Sequence, residues 1–188
     1  QQCDEPGGAV STDVAKDPVI DARPRSGDTG RMQAPDNPFF SALASIHRDV
    51  ALGEGEVLRY PAEFAPFLGI AHADVELAAA LAALVPAGDT ALLLGVAPRQ
   101  LPPGWALEHM TDLAQLHCER ELPVIDGPEI IELDRRHRAD VLALTALVYP
   151  HYFRPHTMQL GRYFGIDRHG RLAAMIGERL GTPDAREM

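Results

Sequence analysis

From position 162 to 180 the apolar residues alternate as they do in paired strands. Residues 162–167 and 171–180 predict an antiparallel hairpin joined by Arg168-His169-Gly170. A three-residue loop ending in Gly suits this role, because Gly accepts the positive φ that closes such turns. In the second strand Leu172, Ala174, Ile176 and Leu180 share one face, and Ala173, Met175 and Gly177 share the other. Both faces are mostly apolar, which predicts cover on both sides. Glu178 is the one charge on the Leu172/Ile176 face.

Upstream the period changes. Phe39, Leu43, Ile46 and Val50 recur at three- and four-residue steps, predicting a helix over 38–51 with Asn37 as its cap and Pro38 in its first turn. Gly53-Glu54-Gly55 stops it, and 57–60 reads as a short strand closed by Pro61. Residues 74–85 predict a second helix, capped by Asp74 and apolar on nearly all sides, hence buried. Residues 91–96 form an unbroken apolar strand, and 105–110 and 113–118 are further strand candidates. Pro123, Gly127 and Pro128 mark a linker at 123–128. Beyond it, 129–133 predicts a strand with Ile130 and Ile131 on opposite sides. Residues 138–148 predict a helix with Val141, Leu142, Thr145 and Val148 aligned, broken at Tyr149-Pro150. Residues 1–31 are crowded with Gly, Pro and Asp and hold no aromatic, which predicts disorder, with Met32 as the native start. The alternation predicts an α+β fold in two parts, 32–122 and 129–188.

The run from 143 to 180 is also familiar. Pro150, Phe153, Pro155, Thr157, Leu160, Gly161, Tyr163, Gly165, Ile166, Ala174, Met175, Gly177, Glu178 and Arg179 match a Pro-x-x-Phe, a Pro-x-Thr-x-x-Leu-Gly-x-Tyr-x-Gly-Ile and an Ala-Met-x-Gly-Glu-Arg. This run resembles the central part of GNAT-superfamily N-acetyltransferases, in particular bacterial members with a divergent N-terminal half. His156 departs from the pattern, since relatives more often carry Arg there. The resemblance extends weakly back to Asp36-Asn37-Pro38. It implies a mixed, mainly antiparallel sheet with flanking helices, incomplete on its C-terminal side, with residues 185–188 opening a fourth strand. It also implies a GNAT-like first half without a cofactor motif.

Composition narrows the function. The 188 residues carry 46% hydrophobic and 23% charged positions, ordinary for a globular protein able to bury a core. A net charge of −10 argues against nucleic acid, and no apolar run is long enough to span a bilayer. Cys3 and Cys118 lie far apart, without a disulfide framework or a CxxC site, so a reducing cytoplasm is expected. Cys118 reads as a buried, inert thiol.

The resemblance implies transfer of an acetyl group from acetyl-CoA to a small-molecule or peptide amine. The family's phosphate cradle and oxyanion donors would follow residue 188, so the expectation is an inactive chain that binds acetyl-CoA weakly or not at all. Tyr149, Tyr152, Phe153, His156 and Thr157 fall on the loop that walls the acceptor pocket in the family; a hydrophobic loop sealing the sheet is the alternative. Glu178 is the candidate catalytic residue, deprotonating the amine through water, against a strand-end carboxylate paired with Arg179 or Arg162. No His/Cys cluster has metal spacing, and Arg135 to Arg138 reads as a solvated basic face. The competing function is a non-catalytic module for ligand sensing or homodimerisation.

Overall fold

Helix α1 (Pro38–Ala44) starts at Pro38, as the sequence predicts. The computed structural model describes residues 36–110, 118, 123, 126–148, 150 and 152–187. Asn37 does not cap α1; its side-chain amide donates instead to the Ile70 carbonyl at 2.7 Å. α1 lies directly on the strand that contains Gly69. A Cβ at Gly69 would come within 2.4 Å of the Phe40 nitrogen, so only Gly permits this approach. The predicted helix over 38–51 is cut short. A separate 3-10 turn, Arg48–Val50, follows, because the chain turns to bring His47 inward and leaves Ile46 37% exposed.

Strands β1 (Val57–Arg59) and β2 (Leu68–Ile70) pair antiparallel and are wholly buried. Arg59 is buried with them, its guanidinium donating to the Leu84 carbonyl and to Asp89. That contact holds the Asp89 carboxyl below its ordinary range.

Helix α2 (Ala78–Leu84) is shorter than predicted. Asp74 pairs with Arg99 at 2.8 Å rather than capping it, and the Glu76 carboxylate accepts from the Ala78 amide at 2.9 Å. Only Leu81 of the helix is buried; Ala80 is partly buried, and Ala78, Ala79, Ala82 and Ala83 face solvent. The predicted strand at 91–96 makes a single parallel bridge, Leu92 to Phe67, and Gly95 turns the chain at φ +89°. Residues 105–110 form no strand, and of 113–118 only Cys118 is described, as an exposed residue rather than a buried one.

The second part follows its pattern more closely. β3 (Ile131–Leu133), β4 (Tyr163–Asp167) and β5 (Leu172–Gly177) form a three-stranded antiparallel sheet in that order. Helix α3 (Arg138–Val148) packs against it through Val141, while Val148 is exposed. A capped 3-10 turn, Arg135–His137, leads into α3. The Asp134 carboxylate accepts from Arg136, which lowers its pKa to about 2.

The β4–β5 connection is a tight two-residue turn rather than the predicted three-residue loop, because Arg168 pairs with Arg171. His169 (φ +57°) and Gly170 (φ +74°) form it, with Arg168 and Arg171 exchanging backbone hydrogen bonds. Two positive φ values match the mirror-image turn whose twist suits a hairpin. The register then slips between Ile166 and Asp167, so Ala173 is bulged out. The slip carries Leu172 to the same side as Met175, against Leu133 and Tyr163. The predicted face of Leu172 with Ile176 is therefore broken. Ile176, 54% exposed, lies on an outer face with Phe164, and the hairpin is covered on one side only. The predicted second strand also ends at Gly177. After Glu178-Arg179, a short β6 (Leu180–Gly181) pairs with β7 (Arg186–Glu187).

Three buried clusters hold the fold. One joins Phe39, Leu43, Leu58, Tyr60 and Phe67 to Leu160 and Leu180. Another gathers Val57, Leu68, Ile70, Leu81 and Val85, and the third centres on Leu133, Val141 and Tyr163. The architecture is α+β, and no helix among the described residues is long and apolar enough to cross a membrane.

Candidate functional site

The loop between α3 and β4 carries most of the predicted site. Tyr149 lies outside the described residues. Tyr152 is half-buried against the first cluster. Phe153 meets the Tyr163 ring edge-on at 5.8 Å, and His156 meets Phe64 edge-on at 5.2 Å. Thr157 is fully buried. Its hydroxyl accepts from the Arg154 amide and donates to the Phe64 carbonyl, both at 2.7 Å. With the His156 amide on the Glu63 carbonyl (2.9 Å), these bonds fasten the loop to the first part of the chain. The structure thus brings Tyr152, Phe153, His156 and Thr157 together on one loop, with Thr157 turned inward.

Glu178 stands apart from that group, against Gly161 and Arg162. Its backbone donates to the Arg162 carbonyl at 2.8 Å, and its carboxylate is 3.5 Å from the Arg162 amide. The Arg162 guanidinium makes two bonds to Glu132 (2.9 and 3.0 Å) and covers the Phe164 ring at 5.0 Å. Glu132, and behind it Glu178, hold Arg162 firmly charged. Arg179 points elsewhere, over the Phe67 ring at 4.9 Å and 3.9 Å from Glu187.

Beside the loop lies a polar chain that sequence reasoning missed. The His47 Nδ1 is 2.7 Å from the Tyr60 hydroxyl, and its Nε2 is 2.7 Å from the Leu160 carbonyl. Tyr60 has no exposed surface, and burial raises its hydroxyl well above the ordinary range. Burial also raises Tyr163, to about 12, and raises Glu187 against the pull of Arg179. His47 and Leu160 are 113 positions apart, and nothing local in the sequence announces their meeting.

Two glycines near the predicted site are closely packed. A Cβ at Gly161 would meet the Glu178 carbonyl at 2.2 Å, and one at Gly177 would enter the Tyr163 ring at 2.0 Å. Both glycines are required by this close packing. Among the described residues, no group of three or more His, Cys, Asp or Glu is placed to hold a metal. A cleft of about 390 Å3 opens between residues 73–78 and 99–103, and none of the predicted site residues lines it.

No family model matches the chain, and no curated protein matches it. Among solved structures, it is similar to a protein from Novosphingobium aromaticivorans DSM 12444 assigned as an acetyltransferase of the GNAT family. The likeness has a TM-score of 0.66 at 23% identity and covers 81% of this chain and 67% of that one. The fold of this chain is the GNAT acetyltransferase fold.

Proposed function

We propose that this chain forms the acceptor side of a GNAT-type N-acetyltransferase, in which an acetyl group passes from acetyl-CoA to the amine of a small molecule or peptide. The observation that carries this reading is the likeness to a GNAT structure at a TM-score of 0.66 over 81% of the chain. The riveted loop agrees with it. Tyr152, Phe153 and His156 supply an aromatic wall, and aromatic faces attract ammonium groups before deprotonation. Glu178 is half-buried at the mouth of β4, where a carboxylate can draw in the ammonium and take its proton through water. Thr157 sets the loop's shape rather than touching the acceptor.

A non-catalytic sensing or dimerisation module is the second reading.

The test is an NMR titration of the chain with primary amines such as spermidine, followed by acetyl-CoA. Amide shifts at residues 152–157 and 178 are expected with at least one amine. The absence of any shift there across the panel overturns the acceptor reading. Amine binding without thioester turnover favours the module.

A further inference from the structure

Arg179 lies between β5 and β6, with its guanidinium over the Phe67 ring at 4.9 Å. Phe67 is itself stacked on Phe39 at 4.1 Å, so the ring is a fixed platform. The contact holds the guanidinium in place without using its N–H donors. Its Nε is buried and has no hydrogen-bond partner among the described residues. The nearest carboxylate, Glu187, stands 3.9 Å from a terminal nitrogen, beyond hydrogen-bond reach. Arg59, Arg99, Arg136 and Arg162 instead each meet a carboxylate at 2.7–2.9 Å. Burial also raises the Glu187 carboxyl above its ordinary value, which weakens it as a counter-charge.

A guanidinium partly withdrawn from water, with its donors unused, is costly unless an acceptor meets it. The Arg179 side chain is 29% exposed, so it is open to a ligand from solvent. A planar carboxylate is the acceptor that a guanidinium fork fits best. Glu187 would repel a phosphate dianion more strongly than a carboxylate monoanion. Arg154 also has an unpartnered buried Nε, but its charge is felt at Asp89.

The surroundings place this cation beside the acceptor loop. Its charge is felt at the Tyr60 and Tyr163 hydroxyls. Phe153 meets the Tyr163 ring edge-on, and Tyr152 packs against the cluster that contains Phe67. Arg179 therefore flanks the aromatic wall, where it would repel a polycationic acceptor. An acceptor with one amine and one carboxylate would suit both the wall and the arginine. We propose that Arg179 sets the acceptor class: the amine taken by this site also carries a carboxylate, as an amino acid does, and the Arg179 guanidinium holds that carboxylate. The inference rests on the acceptor reading above and narrows its substrate.

The test uses the full chain and matched pairs that differ by one carboxylate, L-phenylalanine against phenethylamine and L-lysine against cadaverine. Affinities are read by NMR from the amides at 152–157, and the Arg179 side-chain 15Nε signal reports the carboxylate. In at least one pair the amino acid should bind about tenfold tighter than its amine, as a charge-assisted hydrogen bond implies. The amino acid alone should move the Arg179 signal. Arg179→Gln should bring its affinity down to that of the amine without weakening the amine, and Arg179→Lys should restore part of the preference. Equal binding within both pairs, a preference that survives in Arg179→Gln, or inorganic phosphate displacing the amino acid at equal concentration overturns the inference. If the variants fail to fold, the wild-type pairs and the Arg179 signal decide alone. Shifts at 152–157 with the amines only would remove the role of Arg179 and leave the acceptor reading standing. No shift with any compound would remove both.

Discussion

At the scale of single residues, Thr157 shows how a polar side chain can hold a loop in shape. Its hydroxyl bridges the Arg154 amide and the Phe64 carbonyl in a fully buried site. Thr157→Val keeps the shape and leaves both partners unpaired, which should cost about 1–3 kcal/mol in denaturant unfolding. His47 makes the second residue-scale prediction. Its folded pKa is lowered, so between that value and the unfolded value of 6.5 the unfolded chain binds more protons. The stability contributed by neutral His47 is therefore complete above 6.5 and is lost as pH falls through the folded value. Denaturant midpoints measured from pH 7.5 to 5 should fall in the wild type, with a shallower slope in His47→Gln. In the sequence, Thr157 and His156 could be placed together because they are neighbours. The His47–Tyr60–Leu160 chain could not, because its members meet only through tertiary packing.

At the scale of elements, the contact between α1 and β2 rests on one missing side chain. Gly69→Ala would press a methyl into the Phe40 backbone, which cannot swing aside as a side chain would. A loss of about 1–3 kcal/mol by thermal or denaturant unfolding is expected. Elements with a clear period were legible. α3 spans the predicted 138–148, and β4 and β5 fall within the predicted hairpin. Where the reading failed, a local competitor won. Arg99 diverted Asp74 from the start of α2, Asn37 turned to Ile70, and the bulge at Ala173 reversed the side of Leu172. Alanine misled as well, since α2 counts as apolar by composition yet buries only Leu81.

At the scale of the whole molecule, an α+β fold was legible because helices and strands alternate with distinct periods, and its GNAT type only through the resemblance carried by residues 150–179. The way the two parts join was not, because the joining contacts are distant in sequence. Leu160 and Leu180 come from the second part, yet they are buried among Phe39, Leu43, Leu58 and Tyr60 of the first. Neither part alone can complete that cluster. Proteolytic or genetic scission at Gly127 should therefore yield two pieces that each expose bare hydrocarbon and precipitate or bind a hydrophobic dye when made singly. Produced together, they should recombine into a soluble pair. The chain would then serve as a natural split reporter, its halves finding one another through two leucines.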